Sequence, residues 1–414
     1  MVEAPKTGVK GPLSHITVLD LSRSLAGPWA CQIFSDFGAT VIKVERPGAG
    51  DEARAWGPPF LKDATGASTG DSPYFLMSNR GKKSITLDIS KPQAQEIVRA
   101  LARKADVLVE NYKVGGLAAY GLAYDDLKAD NPGLVYCSVT GFGQSGPRSG
   151  QAAYDFAIQA MSGLMSITGE VDGRPGAGPQ KVGVPIIDIV TGLYAAIGAL
   201  VGLVQRGQTS RGDYIDLALL DAAIAGISSR VMSYLLSGVT PTRQGNRHAT
   251  IQPQDVFDCA DGQIALAVGN DGQFAKFCHV LERPDLARDA RFATNGARLV
   301  HIEELLPLLR PLLAAWNKQQ LADALDAAGV PCSAINNIAE VLLDPQVVHR
   351  GVVAPAPHAR AGEVPQVVNP LKFKGSVGLP LRAHAALGEH TDEVLRELGY
   401  SDERIAELRR QAVI

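Results

Sequence analysis

The stretch that most restricts how this chain can fold runs from Val182 to Ala223, VGVPIIDIVTGLYAAIGALVGLVQRGQTSRGDYIDLALLDAA. From Ile189 to Val204 apolar side chains fall on every face of a helix, so the helix must be surrounded by other protein. Gly192, Ala195, Ala196, Gly198, Ala199 and Gly202 let neighbouring backbones come close. The run is interrupted by glycine and is shorter than a membrane span requires, which favours a core helix. Asp188 stands at its start, after the extended VGVPII. Free N–H groups and the positive end of the helix dipole lie there, which predicts a carboxylate that stays ionised and therefore nucleophilic. An aspartate in that place is also an ordinary helix cap, so position alone does not make it catalytic. SRGDYIDLALLDAA then reads as a turn, a strand and a second helix start framing the carboxylate.

Upstream, apolar runs alternate with helix-like segments. HITVLDLS, TVIKVERPG, KKSITLDI, ADVLVEN and LVYCSVTGFG read as buried strands, separated by AGPWACQIFSDFG, SPYFLMSN, KPQAQEIVRALARKA and LAYDDLKADNP. That order predicts an α/β domain with an open parallel sheet, right-handed crossovers and ligand loops at the carboxyl ends of the strands. Downstream, AAIAGISSRVMSYLLSG reads as one long helix leading to a second domain. VFDCADGQIALAVGN reads as a hairpin joined at Asp-Gly, and IEELLPLLRPLLAAW and LADALDAAG read as helices. VVAPAP and PLKFKG are candidate edge strands, and two short helices close the chain. The expected division is a large Rossmann-like domain over 12–222, with 345–414 returning to it, and a smaller α+β domain over 223–344.

A chain of 414 residues with 46% hydrophobic side chains can bury large cores. Its formal net charge of −3 offers no bulk attraction to nucleic acid or an anionic membrane, so a polyanionic ligand needs a local cluster of cations. The five cysteines are far apart, with no metal-ligand spacing, and fit buried thiols in a reducing cytoplasm. No metal site is expected.

Candidate cations lie after the second strand, where Lys43, Glu45 and Arg46 lead into PGAGDEARAWG with Arg54 and Trp56, and before the third, where Arg80, Lys82 and Lys83 cluster. Arginine forks suit phosphate oxygens and their planes stack on adenine, although a solvated basic surface gives the same pattern. The first strand is followed by LSRSLAGP rather than GxGxxG, which weakens a nicotinamide-dinucleotide reading.

LSRSLAGP, GATVIKVERPGAGDEAR, NRGKKSITLDI, ADVLVEN, the Asp188 stretch and LGEHTDEVLRELGYSDERI together resemble the class III CoA-transferases, the CaiB/BaiF or formyl-CoA transferase-like family, from about Pro12 to the C-terminus. The resemblance implies the CoA-transferase III fold, in which two open rings interlock as a homodimer. It implies Asp188 as nucleophile, with Asp155 as a further acidic group at the catalytic centre. It implies coenzyme A contacts at Leu25, Ala26, Arg46, Arg80, Lys82, Asn111 and Tyr112, and a glycine-containing substrate loop at Gly245, in RQGNRHATIQP. His248 belongs to that loop, but a lone histidine is more often structural. Three positions depart from the family. Leu25 stands where formyl-CoA transferases carry glutamine, which argues against formyl or oxalyl groups. Ala119 replaces an arginine near the CoA. Tyr154 replaces the histidine that related racemases use as acid or base, and tyrosine is a poor base at neutral pH.

The implied reaction moves CoA from an acyl-CoA to a free carboxylic acid through an aspartyl-CoA thioester, with CoA and acyl-CoA as substrates and no tightly bound cofactor. RQGNRHATIQP and AVGNDGQF look more like the branch using succinyl-CoA and a second dicarboxylic acid. The other carboxylate would then need a cation, with Arg23, Arg243 and Arg247 as candidates, or N–H groups of the glycine loop. The alternatives are an acyl-CoA racemase or isomerase of the same fold, a nucleotide-dependent oxidoreductase, and a non-catalytic CoA-binding protein in which Asp188 is only a cap.

Overall fold

The computed structural model describes residues 10–374 and 379–414. Two compact units divide the chain. The first comprises the residues up to Leu164, Val182–Leu236 and Gly351–Ile414, and the second comprises Met165–Lys181 and Ser237–Arg350.

The first unit is built on a six-stranded sheet of order β3-β2-β1-β4-β5-β6, parallel throughout. The strands are β1 (Thr17–Asp20), β2 (Thr40–Glu45), β3 (Lys83–Thr86), β4 (Val107–Glu110), β5 (Val135–Thr140) and β6 (Tyr214–Ala218). Both faces are covered, which is why these strands read as continuous apolar runs rather than alternating ones. Because successive side chains point to opposite faces, Leu19, Ile42, Leu108 and Tyr136 join one core with Leu101, Leu395 and Leu408. Their neighbours Val18, Val41, Val107 and Val135 join another with Phe34, Ala195 and Ala199.

That second core holds the Asp188 helix, Ile186–Thr209. It has 24 residues and by length and composition is long enough to cross a membrane, which corrects the shorter run read from sequence. One face is packed through small residues. A Cβ on Gly192 would lie 2.7 Å from the Ala26 carbonyl oxygen and 3.0 Å from the Trp29 side chain, so glycine is what allows this helix to meet Ala26–Asp36 so closely. Its other face leaves Ile197, Val201 and Val204 exposed in the single chain.

The segment read as one long helix after β6 is two helices, Leu219–Gly226 and Ser228–Ser237, bent by 71°. Gly226, a poor helix former, ends the first. Leu219 and Ala223 stay in the core of the first unit, so that unit extends past residue 222. Met165–Lys181, expected in the large domain, groups with the second unit, where the Gly169 carbonyl accepts the Gly245 N–H at 3.1 Å. VVAPAP forms β10 (Val353–His358) against β11 (Gly362–Val367), a partner the sequence reading lacked. Residues 370–374 of PLKFKG form no strand, and Gly375 lies outside the described residues.

The second unit has a three-stranded antiparallel sheet, β7 (Gln254–Cys259), β8 (Gly262–Ala267) and β9 (Cys332–Ala334). Cys259 pairs with Gly262 across the hairpin, where the Asp-Gly signal placed the turn. Phe257, Ile264, Phe274, Phe277, Leu305 and Leu309 form its core.

Candidate active site

In a sheet of this order the strand order reverses between β1 and β4, and the loops leaving their carboxyl ends diverge to leave a crevice. Here the loop after β1 carries Arg23–Ala26 and the loop after β4 carries Asn111–Val114. Between them lies a cleft lined by Leu25, Ala26, Asn111, Tyr112, Tyr154 and Asp188. The fold thus brings together four of the residues expected to touch CoA and the expected nucleophile.

Asn111 binds the adjoining loop. Its Oδ1 accepts the Arg23 N–H at 2.9 Å and its Nδ2 donates to the Arg23 carbonyl at 2.7 Å, so its amide shapes the cleft wall. Tyr112 lies under the Arg23 guanidinium, 5.1 Å from ring centre to Cζ. Leu25 and Ala26 are buried at the start of the helix Ala26–Asp36. The loop after β2 locks the same corner, because Asp51 accepts the Ser24 N–H at 3.0 Å and pairs with Lys43 at 2.9 Å.

Asp188 occupies the first turn of its helix, after Ile186 and Ile187, rather than the cap position. The cap comes from another element. Asp155, first residue of the helix Asp155–Met161, uses Oδ2 to accept the Ile187 N–H at 2.7 Å and the Asp188 N–H at 3.2 Å. Its Oδ1 accepts from Gln159 Nε2 at 2.5 Å, while Gln159 Oε1 accepts the Val182 N–H at 2.9 Å. Two first-turn N–H groups are therefore spent on Asp155, and among the described residues the Asp188 carboxylate accepts no hydrogen bond. Burial, with the charge of Asp155 added, pushes the Asp188 carboxyl up to about 7. This corrects the expectation that the helix terminus holds Asp188 fully ionised: the terminus is neutralised by a neighbour, and that neighbour repels it. Gln159 was missed in the sequence; its signal is the four-residue spacing from Asp155, which puts both on one helical face.

A second cleft lies over the ends of β1 and β2, lined by Ser22, Arg23, Lys43, Arg46, Tyr112 and Tyr120. Arg46 is exposed there, with no carboxylate in ion-pair contact among the described residues. The other cations marked in the sequence are engaged within the fold. Lys43 also donates to the Ser22 carbonyl at 2.8 Å, and its ammonium is held well above its ordinary range by Asp20 and Asp51 despite burial. Arg54 is forked on Glu45 and bonded to Asp71. Arg80, expected at CoA, is buried with its fork on Asp36 and a bond to the Val367 carbonyl. Lys82, also expected at CoA, is buried and donates to Asp20, Asn79 and the Pro28 carbonyl at 2.8–2.9 Å. Lys82 thus has all three of its N–H donors, and Arg80 three of its five, on internal acceptors, so in place of the expected free cations the fold holds two buried, internally bonded ones.

Gly245 belongs to the second unit, where φ of +62° suits glycine. In that unit Arg243 pairs with Asp172, and Arg247 pairs with Glu303 at 2.7 Å. Arg23 keeps only a loose pairing with Glu52 at 3.8 Å, and its buried Nε has no partner. Among the described residues no cluster of histidine, cysteine, aspartate or glutamate suits a metal ion.

Sequence and structure comparisons agree on the relatives of this chain. A sequence model described as CoA-transferase family III matches residues 13–391. A succinate–glutarate CoA-transferase of Agrobacterium fabrum is 45% identical over 94% of this chain and 96% of its own length. A human succinyl-CoA:glutarate CoA-transferase is 40% identical over 97% of this chain and 90% of its own. The crystal structure of a CaiB/BaiF family protein from Brucella suis superposes with a TM-score of 0.83 at 43% identity, covering 94% of this chain and 100% of that one. With a crevice at the sheet's switch point, the Asp188 carboxylate lining it and this kinship over nearly the whole length, the chain is a member of CoA-transferase family III.

Proposed function

We propose that the enzyme moves CoA between two dicarboxylic acids, taking it from succinyl-CoA or a similar dicarboxyl-CoA, with Asp188 as the covalent nucleophile. The observation that carries this reading is the placement of Asp188, whose unbonded carboxylate faces the cleft from the first turn of a packed helix. In the first step Asp188 attacks the thioester carbonyl and expels CoA thiolate, leaving a mixed anhydride of Asp188 and the donor acid. The thiolate then attacks the Asp188 carbonyl carbon and releases the donor carboxylate, giving an aspartyl-CoA thioester. The acceptor carboxylate repeats the two steps in reverse and regenerates Asp188. No net proton is consumed, and the thioester's energy is retained throughout.

Support for the dicarboxylate branch is the kinship with succinate–glutarate enzymes together with Arg23. Of the three arginines considered for the second carboxylate, Arg243 and Arg247 are paired in the second unit, while Arg23 lines the Asp188 cleft with donor capacity to spare. A guanidinium fork suits a carboxylate. Arg46, exposed in the second cleft, is the candidate for a CoA phosphate, with Leu25, Ala26 and Tyr112 lining the path to Asp188. Tyr154 in the cleft, where a racemase would need a base near neutrality, counts against that alternative.

A second copy of the chain is the proposed cover for the exposed apolar side of the Asp188 helix and of Ser228–Ser237, where Leu235 and Leu236 also stand exposed. The five free cysteines fit a reducing cytoplasm.

The test is rapid quenching of enzyme mixed with succinyl-CoA, followed by mass analysis of the peptide holding Asp188. A CoA-sized adduct on Asp188, absent in Asp188→Ala, is expected. Exchange activity retained by Asp188→Ala would remove this residue from the mechanism.

A further inference from the structure

Asp155 and Gln159 form a fixed anionic device under Asp188. Every hydrogen bond to the Asp155 carboxylate comes from a donor: Gln159 Nε2, the Ile187 N–H and the Asp188 N–H. All three bonds use the carboxylate as acceptor and none uses it as donor. Gln159 is 1% exposed and Asp155 8% exposed, and the Gln159 amide cannot turn over, because its oxygen is held by the Val182 N–H. The Asp155 carboxylate is therefore held at a set place, against the backbone N–H of the reacting residue itself.

We propose that Asp155 is a positioning residue whose charge raises the energy of the free Asp188 carboxylate and so drives the enzyme toward its acylated forms. This rests on the reading of Asp188 as nucleophile. The free enzyme holds two anions close together in a poorly solvated corner. When Asp188 becomes an anhydride or a thioester it is neutral, and the repulsion disappears. The charge removed from Asp188 leaves the site on the departing carboxylate, so the step balances: Asp188 carboxylate plus acyl-CoA gives aspartyl-CoA plus free acid. The bias acts on the free carboxylate and spares neutral states, so it is present where Asp188 is ionised and vanishes where Asp188 is protonated.

Other charged groups near the helix do not supply this. Arg23, Glu52 and Lys113 line the cleft beside the neutral Tyr154, and Asp36, Asp216 and Asp221 lie on the elements packed against the helix. It is the Asp155 carboxylate that bonds the Ile187 and Asp188 N–H groups themselves.

The experiment measures the equilibrium ratio of aspartyl-CoA enzyme to free enzyme, by intact mass after quenching, at fixed concentrations of succinyl-CoA and succinate and at pH 8 and pH 5. Asp155→Asn keeps an oxygen for the helix N–H groups and removes the charge. At pH 8 its covalent ratio should fall about tenfold for each unit by which the Asp188 pKa drops, while at pH 5 it should converge on that of the wild type. Asp155→Asn combined with Gln159→Glu restores the donor–acceptor pattern with the charge moved away from the helix start. It serves as the second variant if the single one fails to fold, and its ratio at pH 8 should also lie below the wild type's. A ratio unchanged at pH 8, or lowered equally at both pH values, would overturn the proposal. A wild type that never forms the adduct would instead sink the nucleophile itself, and Asp155's role with it.

Discussion

The burial proposed to make Asp188 reactive comes at a cost in stability. Its carboxyl titrates near 7 in the fold against about 3.9 in an unfolded chain. The folded state therefore holds the proton more tightly, and the stability that protonation contributes is complete below about pH 4 and lost as pH rises through 7. Asp188→Asn should accordingly be more stable than the wild type at pH 8, by on the order of 4 kcal/mol, and melt at a higher temperature, with the difference shrinking toward pH 4; thermal scans across that range check it. Arg23→Met should raise KM for a dicarboxylate acceptor by about tenfold or more, the scale of one lost charge-assisted contact, and should erode discrimination between glutarate and butyrate in steady-state assays. At this scale the sequence was legible where chemistry and position coincide, as with Asp188 in the cleft wall. It was opaque for Arg80 and Lys82, because a run of cations looks the same whether it meets phosphate or buried Asp36 and Asp20. Only the fold says which carboxylates reach them.

The elements themselves were readable wherever periodicity was strong. All six strands of the large sheet fall within the apolar runs, and the Asp-Gly hairpin is β7–β8. What escaped was local breakage and pairing: the bend at Gly226–Ile227, and the partner of VVAPAP, whose alternating side chains, with Ala356 and Val364 inward, give a weak signal over six residues. Small residues in the Asp188 helix carried more information. Gly192→Leu would drive a side chain into the Ala26 carbonyl and Trp29. Overpacking of this kind typically costs about 1–3 kcal/mol. It would also shift the turn that presents Asp188, so both a lower melting temperature and a lower kcat are expected, whereas Gly207→Ala, which meets open space near the other end of the helix, should leave kcat unchanged.

For the whole molecule, the open apolar side of the Asp188 helix forecasts assembly. Val204 is 68% exposed and Ile197 55% exposed in the single chain, an arrangement that water disfavours and a second copy would relieve. Val201→Asp together with Val204→Asp should shift the sedimentation coefficient from that of a dimer to that of a monomer. A monomeric wild type at micromolar concentration would count against the interface. Composition alone had no access to this, since an all-round apolar helix is equally suited to its own core and to a partner's.

The large unit also gathers one of its cores from distant parts of the chain. Thr391 and the helix Thr391–Glu397 cover β3, the His390 N–H donates to the Ser84 carbonyl at 2.9 Å, and Leu395, Ile405, Leu408 and Val413 complete the core that Leu19 and Leu108 begin. During synthesis the ribosome delivers β1 to β6 and then Ser237–Arg350 of the second unit before these lids arrive. Until then the nascent chain carries that sheet face covered only in part, by the helix Pro92–Lys104 and the segment holding Leu117, Leu122 and Leu127, an interval in which a chaperone has reason to wait.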